Sequence, residues 1–179
     1  VTAFSPNAHV TREQAAAIMM RLHDKLTDPT TSRIGITDSL TNLPDLKGYE
    51  AVGIAAAKLV YNGAPQISYS IGERDAVKIR AAVAEAGAKP LLYVTGGAYQ
   101  IREGDEEKLA AVLLKAVTDG HYDGLFLEVS GLTAVSQRDV LTAAVQSLNE
   151  QLGDRLLYVG AEAPSWKGTI FGYDYAALG

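Results

Sequence analysis

The chain of 179 residues contains no cysteine. Disulfides, thiolate metal sites and cysteine nucleophiles are therefore ruled out, and the composition is compatible with an exported bacterial protein. Basic charge is also scarce, since 16 Lys and Arg are scattered among 21 Asp and Glu, for a formal net charge of -5. A nucleic-acid binder needs a clustered basic surface, so nucleic acid is not an expected partner. No apolar run is long enough to cross a bilayer, and the first residues lack the regions of a signal peptide, so membrane insertion is not expected. His9, His23 and His121 are too dispersed for a metal site, and neither metal nor cofactor is expected. Gly96-Gly97 lacks the partners of a phosphate-cradling loop, and Ser68, Ser70 and Ser130 lack a nucleophile elbow.

What is present is ordinary globular material, with a hydrophobic fraction of 47%. The length suggests one domain, or one domain with a small appendage. The pattern changes near Ala64-Pro65, which divides the chain into a helical segment, 1–64, and a βα domain, 65–179. In the first segment, Thr11, Arg12, Glu13 and Gln14 fit a capping box that opens a helix with Ala15, Ile18, Met19 and Leu22 on its apolar stripe. A second helix is expected from Gly48 to Leu59, with Ala51, Val52, Ala55, Ala56 and Leu59 on its apolar side and Asn62-Gly63 as its stop.

From residue 66 the pattern alternates. Strands are expected at 66–71, 90–95, 122–129 and 155–160, separated by helices at 73–86, 105–118 and 136–152. This spacing implies right-handed βαβ crossovers and a parallel sheet. The fold class is α/β, a parallel sheet of βα units resembling part of a (β/α)8 barrel, preceded by a short helical segment. Four strands in about 115 residues amount to roughly half of such a barrel, which typically takes about 250. Such a sheet ends in mid-fold, stays open, or completes itself with another copy. An exposed edge at the fourth or fifth strand makes a homodimer the expected association.

Two resemblances follow. Phe4-Ser5-Pro6-Asn7, Val10-Thr11-Arg12-Glu13-Gln14 and the AAAIMMRL run resemble a surface-layer homology repeat, and ITDSL with AVGIAAAKLVYNG resembles the start of a second. That resemblance implies contacts from Arg12 and Glu13 to cell-wall polysaccharide. In the remainder, ISYSI, KPLLYVTGG, HYDGLFLEVSGL, LLYVGAEAP and FGYDYAALG, in that order, make the chain similar to the chitinase-like glycoside hydrolases of family eighteen, in their spore and wall-lytic branch. ISYSI resembles the second strand and KPLLYVTGG the third. HYDGLFLEVSGL resembles the signature-bearing fourth, LLYVGAEAP the fifth, and FGYDYAALG the approach to the sixth.

In that family the signature runs Asp-Gly, three residues, Asp, one residue, Glu. Alternation along a strand points the carboxyl groups to one side. The Glu protonates the glycosidic oxygen while the inner Asp orients the substrate's own acetamido group. By resemblance, Asp123 and Gly124 fit, Glu128 takes the place of the inner Asp, and Ser130 takes the place of the proton donor. Phe126 also stands where an acid is common. A serine hydroxyl is no general acid near neutral pH, so the implied reaction is impaired. Glu162 after the next strand is a second carboxylate that could pair with Glu128. The plainer expectation is that Glu128 is a hydrogen-bonded relic and Glu162 a solvated loop residue. Tyr99 and Trp166 are aromatic faces suited to stacking on sugar rings.

The resemblances imply a secreted or cell-surface protein of the bacterial wall, whose partner is a cell-wall polysaccharide or an N-acetylglucosamine-containing glycan. The leading expectation is a catalytically impaired glycan binder. The alternatives are an active glycosidase on peptidoglycan or chitin, and a structural surface-layer component.

Overall fold

The computed structural model describes residues 32–39, 46–162 and 172–178, together with Ala16, Met19 and Met20, which are helical and exposed. The rest of the expected first helix, including Thr11, Arg12, Glu13 and Gln14, lies outside the described residues. The chain divides into two compact units, Val1–Arg33 and Ile34–Gly179. The boundary thus falls well before the expected Ala64-Pro65.

The second unit is built on a sheet. Strands β1 (Ile34–Thr37), β2 (Ala51–Tyr61), β4 (Lys89–Gly97), β5 (Gly124–Ser130) and β6 (Leu156–Gly160) lie side by side in that order, all parallel. A short β3 (Pro65–Tyr69) pairs antiparallel with β2, off this path. Helices α1 (Glu73–Glu85), α2 (Glu106–Asp119) and α3 (Val135–Leu152) fill the crossovers, and a last turn, α4 (Tyr175–Leu178), follows β6. Crossovers between parallel strands are right-handed, and here the strand order only ever advances. All three crossover helices therefore fall on one face of the sheet, as in the wall of a barrel. The parallel path is a half-barrel.

Burial follows from this arrangement. On β5, Leu125, Leu127 and Val129 face the helices and are at most 1% exposed. They join Ile54, Leu92 and Val94 from the neighbouring strands and Leu109, Leu113 and Val117 from α2 in one core. Each fully buried Leu contributes about 1.5–3 kcal/mol relative to exposure. The alternate residues Tyr93, Phe126 and Tyr158 lie on the open inner face and are only half-buried. The expected glycine stops are in place, with Gly87 and Gly153 at positive φ just past α1 and α3.

Four expectations are corrected. The helix expected from Gly48 to Leu59 is replaced by strand: Ala51–Tyr61 form the second strand of the parallel path. Their alanines favour helix by propensity, but Val52, Ile54 and Val60 are β-branched, and the run is buried almost continuously, as in a strand covered on both sides. Asn62-Gly63 is not a helix stop but part of the hairpin turn into β3, with Gly63 at φ 75°. The 66–71 strand is present as β3, yet it is antiparallel, so ISYSI does not occupy the second place in the path. Ile36-Thr37 of ITDSL belongs to β1, a strand the pattern did not announce. The extension of a surface-layer repeat through ITDSL and AVGIAAAKLVYNG therefore falls on two strands.

The far end of β2 is tied to the start of α2. The Tyr61 hydroxyl donates to Asp105 at 3.0 Å, and Lys108 pairs with the same carboxylate at 2.7 Å. At the near end of the sheet β5 has no room for a side chain. A Cβ on Gly124 would lie 2.1 Å from the Leu156 carbonyl oxygen, a backbone atom of β6. Gly124→Ala must push β5 and β6 apart, and an overpacking loss of at least about 1–3 kcal/mol is expected. A urea midpoint that stays at the wild-type value would contradict this packing.

Candidate functional site

Sites in parallel βα sheets form beyond the carboxyl ends of the strands. At that end of β5, alternation turns Phe126, Glu128 and Ser130 to the inner face. Register aligns Tyr93, Phe126 and Tyr158 across β4, β5 and β6, and one level higher aligns Lys58, Thr95, Glu128 and Gly160. The lower row is an aromatic floor. Tyr93 and Phe126 meet edge to face at 5.2 Å, and Phe126 and Tyr158 are 6.3 Å apart. Above the floor the Tyr93 hydroxyl donates to the Glu128 carboxylate. Gly160 makes room for that carboxylate, because a Cβ there would stand 3.3 Å from the Glu128 Cγ.

At the rim, the Ser130 hydroxyl reaches the Gly96 carbonyl oxygen at 3.4 Å, a long and weak contact. The Gly131 N–H donates to Glu162 Oε1 at 2.7 Å. Residues 172–178 are tied to this end of the sheet by two tyrosines. Tyr173 donates to the Val129 carbonyl, and Tyr175 donates to the Glu162 carbonyl at 2.7 Å. Glu128, Ser130, Glu162 and Tyr173 together line a cleft of about 280 Å³. This is at the small end of ligand pockets, which run to about 300–1,000 Å³. Larger hollows exist, of about 530 Å³ beside Tyr69 and Tyr122 and about 610 Å³ beside Lys89 and Asp123. The smaller cleft is the one at the carboxyl ends of the strands, where inward side chains converge.

The sequence-predicted residues thus divide. Glu128, Ser130 and Glu162 come together. Glu162 is an exposed residue just after β6, and it lines the cleft and accepts the Gly131 N–H. Asp123 does not join them. It precedes β5 at the opposite end, about 17 Å of strand away, and its backbone completes the ladder to Pro90 and Leu156. Tyr99 stands on the short turn after β4, 70% exposed, and is not part of the cleft lining. Trp166, Arg12 and Glu13 lie outside the described residues. Tyr93 and Tyr173 were missed. Counting alternate positions back from Gly97 would have placed Tyr93 on the inner face, where a tyrosine needs a partner for its hydroxyl. No local pattern announces Tyr173. Among the described residues no group of three His, Cys, Asp or Glu is placed to hold a metal ion.

Burial, and then the bond to Glu128, push the Tyr93 phenol up to about 12. It therefore remains a neutral donor at any physiological pH. Burial and the nearby charge of Glu162 raise Tyr173 as well. The sign for stability follows from linkage. Above the ordinary tyrosine range, near 10, the unfolded chain loses its phenolic proton while folded Tyr93 keeps it. That part of the stability is complete below about pH 10 and is lost as pH rises toward about 12. Tyr93→Phe is expected to shallow the alkaline fall of the melting temperature in this window. An unchanged slope would mean that Tyr93 is not so held.

No protein-family model matches the sequence, and no curated protein matches it. Solved structures do resemble the fold. The chitinase domain of the spore coat protein CotE from Clostridium difficile is 15% identical with a TM-score of 0.59, over 75% of this chain and 43% of that one. The spore cortex-lytic enzyme SleL of Bacillus megaterium is 12% identical with a TM-score of 0.57, over 83% and 39%. An endo-β-N-acetylglucosaminidase from Cordyceps militaris is 17% identical with a TM-score of 0.53, over 96% and 60%. The chain spans between about two fifths and three fifths of these relatives' length, and over that span its fold is that of part of a chitinase-type (β/α)8 barrel.

Proposed function

We propose that this chain is a wall-glycan-binding protein on a chitinase-like scaffold, with the family's hydrolytic reaction severely impaired. One observation carries the reading. The outermost inward residue of β5, facing the cleft at the carboxyl end of the sheet, is Ser130. Its hydroxyl can donate or accept a hydrogen bond, but it cannot deliver a proton to a leaving oxygen near neutral pH. Loss of a positioned acid typically slows such a reaction by about 10²- to 10⁴-fold. The names of the structural neighbours (a chitinase domain, a cortex-lytic enzyme and an endo-β-N-acetylglucosaminidase) support N-acetylglucosamine-containing polymers of the bacterial wall as the ligand class. Arg12 and Glu13 are proposed as further contacts to cell-wall polysaccharide, and a secreted or surface location accords with both.

A second reading, an active glycosidase, draws on one feature. Glu128 and Glu162 line the same cleft, and two carboxylates can share acid and base roles. The readings separate in a sedimentation assay with purified sacculi and chitin, with reducing ends measured in the same tubes. Binding with reducing sugar at background is the expected result, and Ser130→Glu is expected to raise sugar release above that background. Release by the wild-type chain that survives Ser130→Ala and disappears in Glu128→Gln would make the glycosidase reading correct. Absence of binding to either polymer would remove the glycan reading.

A further inference from the structure

We propose that the cleft prefers a sugar unit carrying a free ammonium, a glucosamine residue without its acetyl group, over the N-acetylated unit. This inference rests on the glycan-binding reading and specifies its ligand. Among the described residues, the cleft lining contains two carboxylates and no Lys, Arg or His. Both carboxylates are held by neutral donors, Glu128 by the Tyr93 hydroxyl and Glu162 by the Gly131 N–H at 2.7 Å. Such donors fix the position of each group without cancelling its charge, and each leaves an oxygen unengaged by them. Among the described residues, the inward-facing cation closest in register is Lys58, which pairs with Thr95 and so lies two strands away from Glu128. Two strand spacings set the two backbones about 10 Å apart, about one Debye length at 0.1 M salt, so the influence of Lys58 on Glu128 is weakened by salt.

The hydrogen-bonding inventory points the same way. An ammonium brings donors and no acceptor, which complements ionised carboxylates that can only accept. An acetamido group brings a carbonyl that needs a donor. Of the hydroxyls at hand, Tyr173 is already directed toward the Val129 carbonyl, and Ser130 makes only a long contact to the Gly96 carbonyl. An acetyl group would also occupy part of a cleft of only about 280 Å³.

The test is calorimetric titration of the whole chain with a glucosamine tetramer and with its fully acetylated counterpart, near pH 6, below the ordinary range of an amine. The amino tetramer is expected to bind at least about tenfold more tightly, which corresponds to about 1.4 kcal/mol. The advantage should shrink in high salt and approach unity in Glu162→Gln. Glu128→Gln serves as the second variant, with circular dichroism to establish folding. If the acetylated tetramer binds equally or better, the ammonium preference is wrong while the glycan reading stands. If the preference survives both glutamine variants, it comes from the general negative charge of the chain, and the inference falls. If neither tetramer binds, the underlying reading fails as well.

Discussion

The one-sided cover of the sheet governs the rest of this molecule. Each crossover is right-handed, and each new parallel strand is added on the same side as the last. The helices therefore accumulate on one face, and consecutive residues of a strand such as β5 enter different media. On β5 that division separates Leu125, Leu127 and Val129 from Phe126, Glu128 and Ser130. The first set provides hydrophobic stabilisation. The second set is free to carry chemistry because the helices do not need it. A register slip of one residue would exchange the two sets, placing Glu128 among leucines and leaving Leu127 on the open face. The close approach of Gly124 to Leu156 helps to hold that register at the start of the strand.

Elements that end in a backbone signal were legible in the sequence. The three long helices were read to within a residue or two of their observed ends, because glycines past them permit the positive φ or close packing that a helix end requires. Strands β4, β5 and β6 were legible as short apolar runs between those helices. The misreading of β2 has a specific cause. A run such as AVGIAAAKLVY, covered on both faces, shows neither the period of a half-exposed strand nor a clear helical stripe, so alanine content decided wrongly. The Asn-Gly pair after it was the better signal. Those residues favour a hairpin, and a hairpin requires a strand on each side.

The site was legible where it lies along one strand and illegible where it depends on others. Glu128 and Ser130 follow from alternation alone. The Tyr93 partner of Glu128 requires the register between β4 and β5, and Tyr173 requires the path of the chain after β6. Asp123 matches the resemblance in sequence, but it sits at the amino end of its strand, a place that spacing along a strand does predict. A signature describes a strand, whereas a cleft is made by one end of it.

The three inward residues of β5 are better understood as a coupled set than as separate replacements. Phe126 cannot accept a hydrogen bond, so the Tyr93 hydroxyl above its ring must find a partner one level up, and Glu128 is that partner. An aromatic at the floor removes one charge from the interior and lets Tyr93 and Tyr158 pack where hydrated acids would need space. The remaining carboxylate then accepts from a single phenol and lines the cleft. Ser130 adds no third charge at the rim, where Glu162 already provides one. The result is a polar wall with fixed acceptors over an apolar floor. Proton transfer to a leaving group asks for something different. It needs a carboxyl that remains protonated, and neither the floor nor the rim has been arranged to favour one at Ser130.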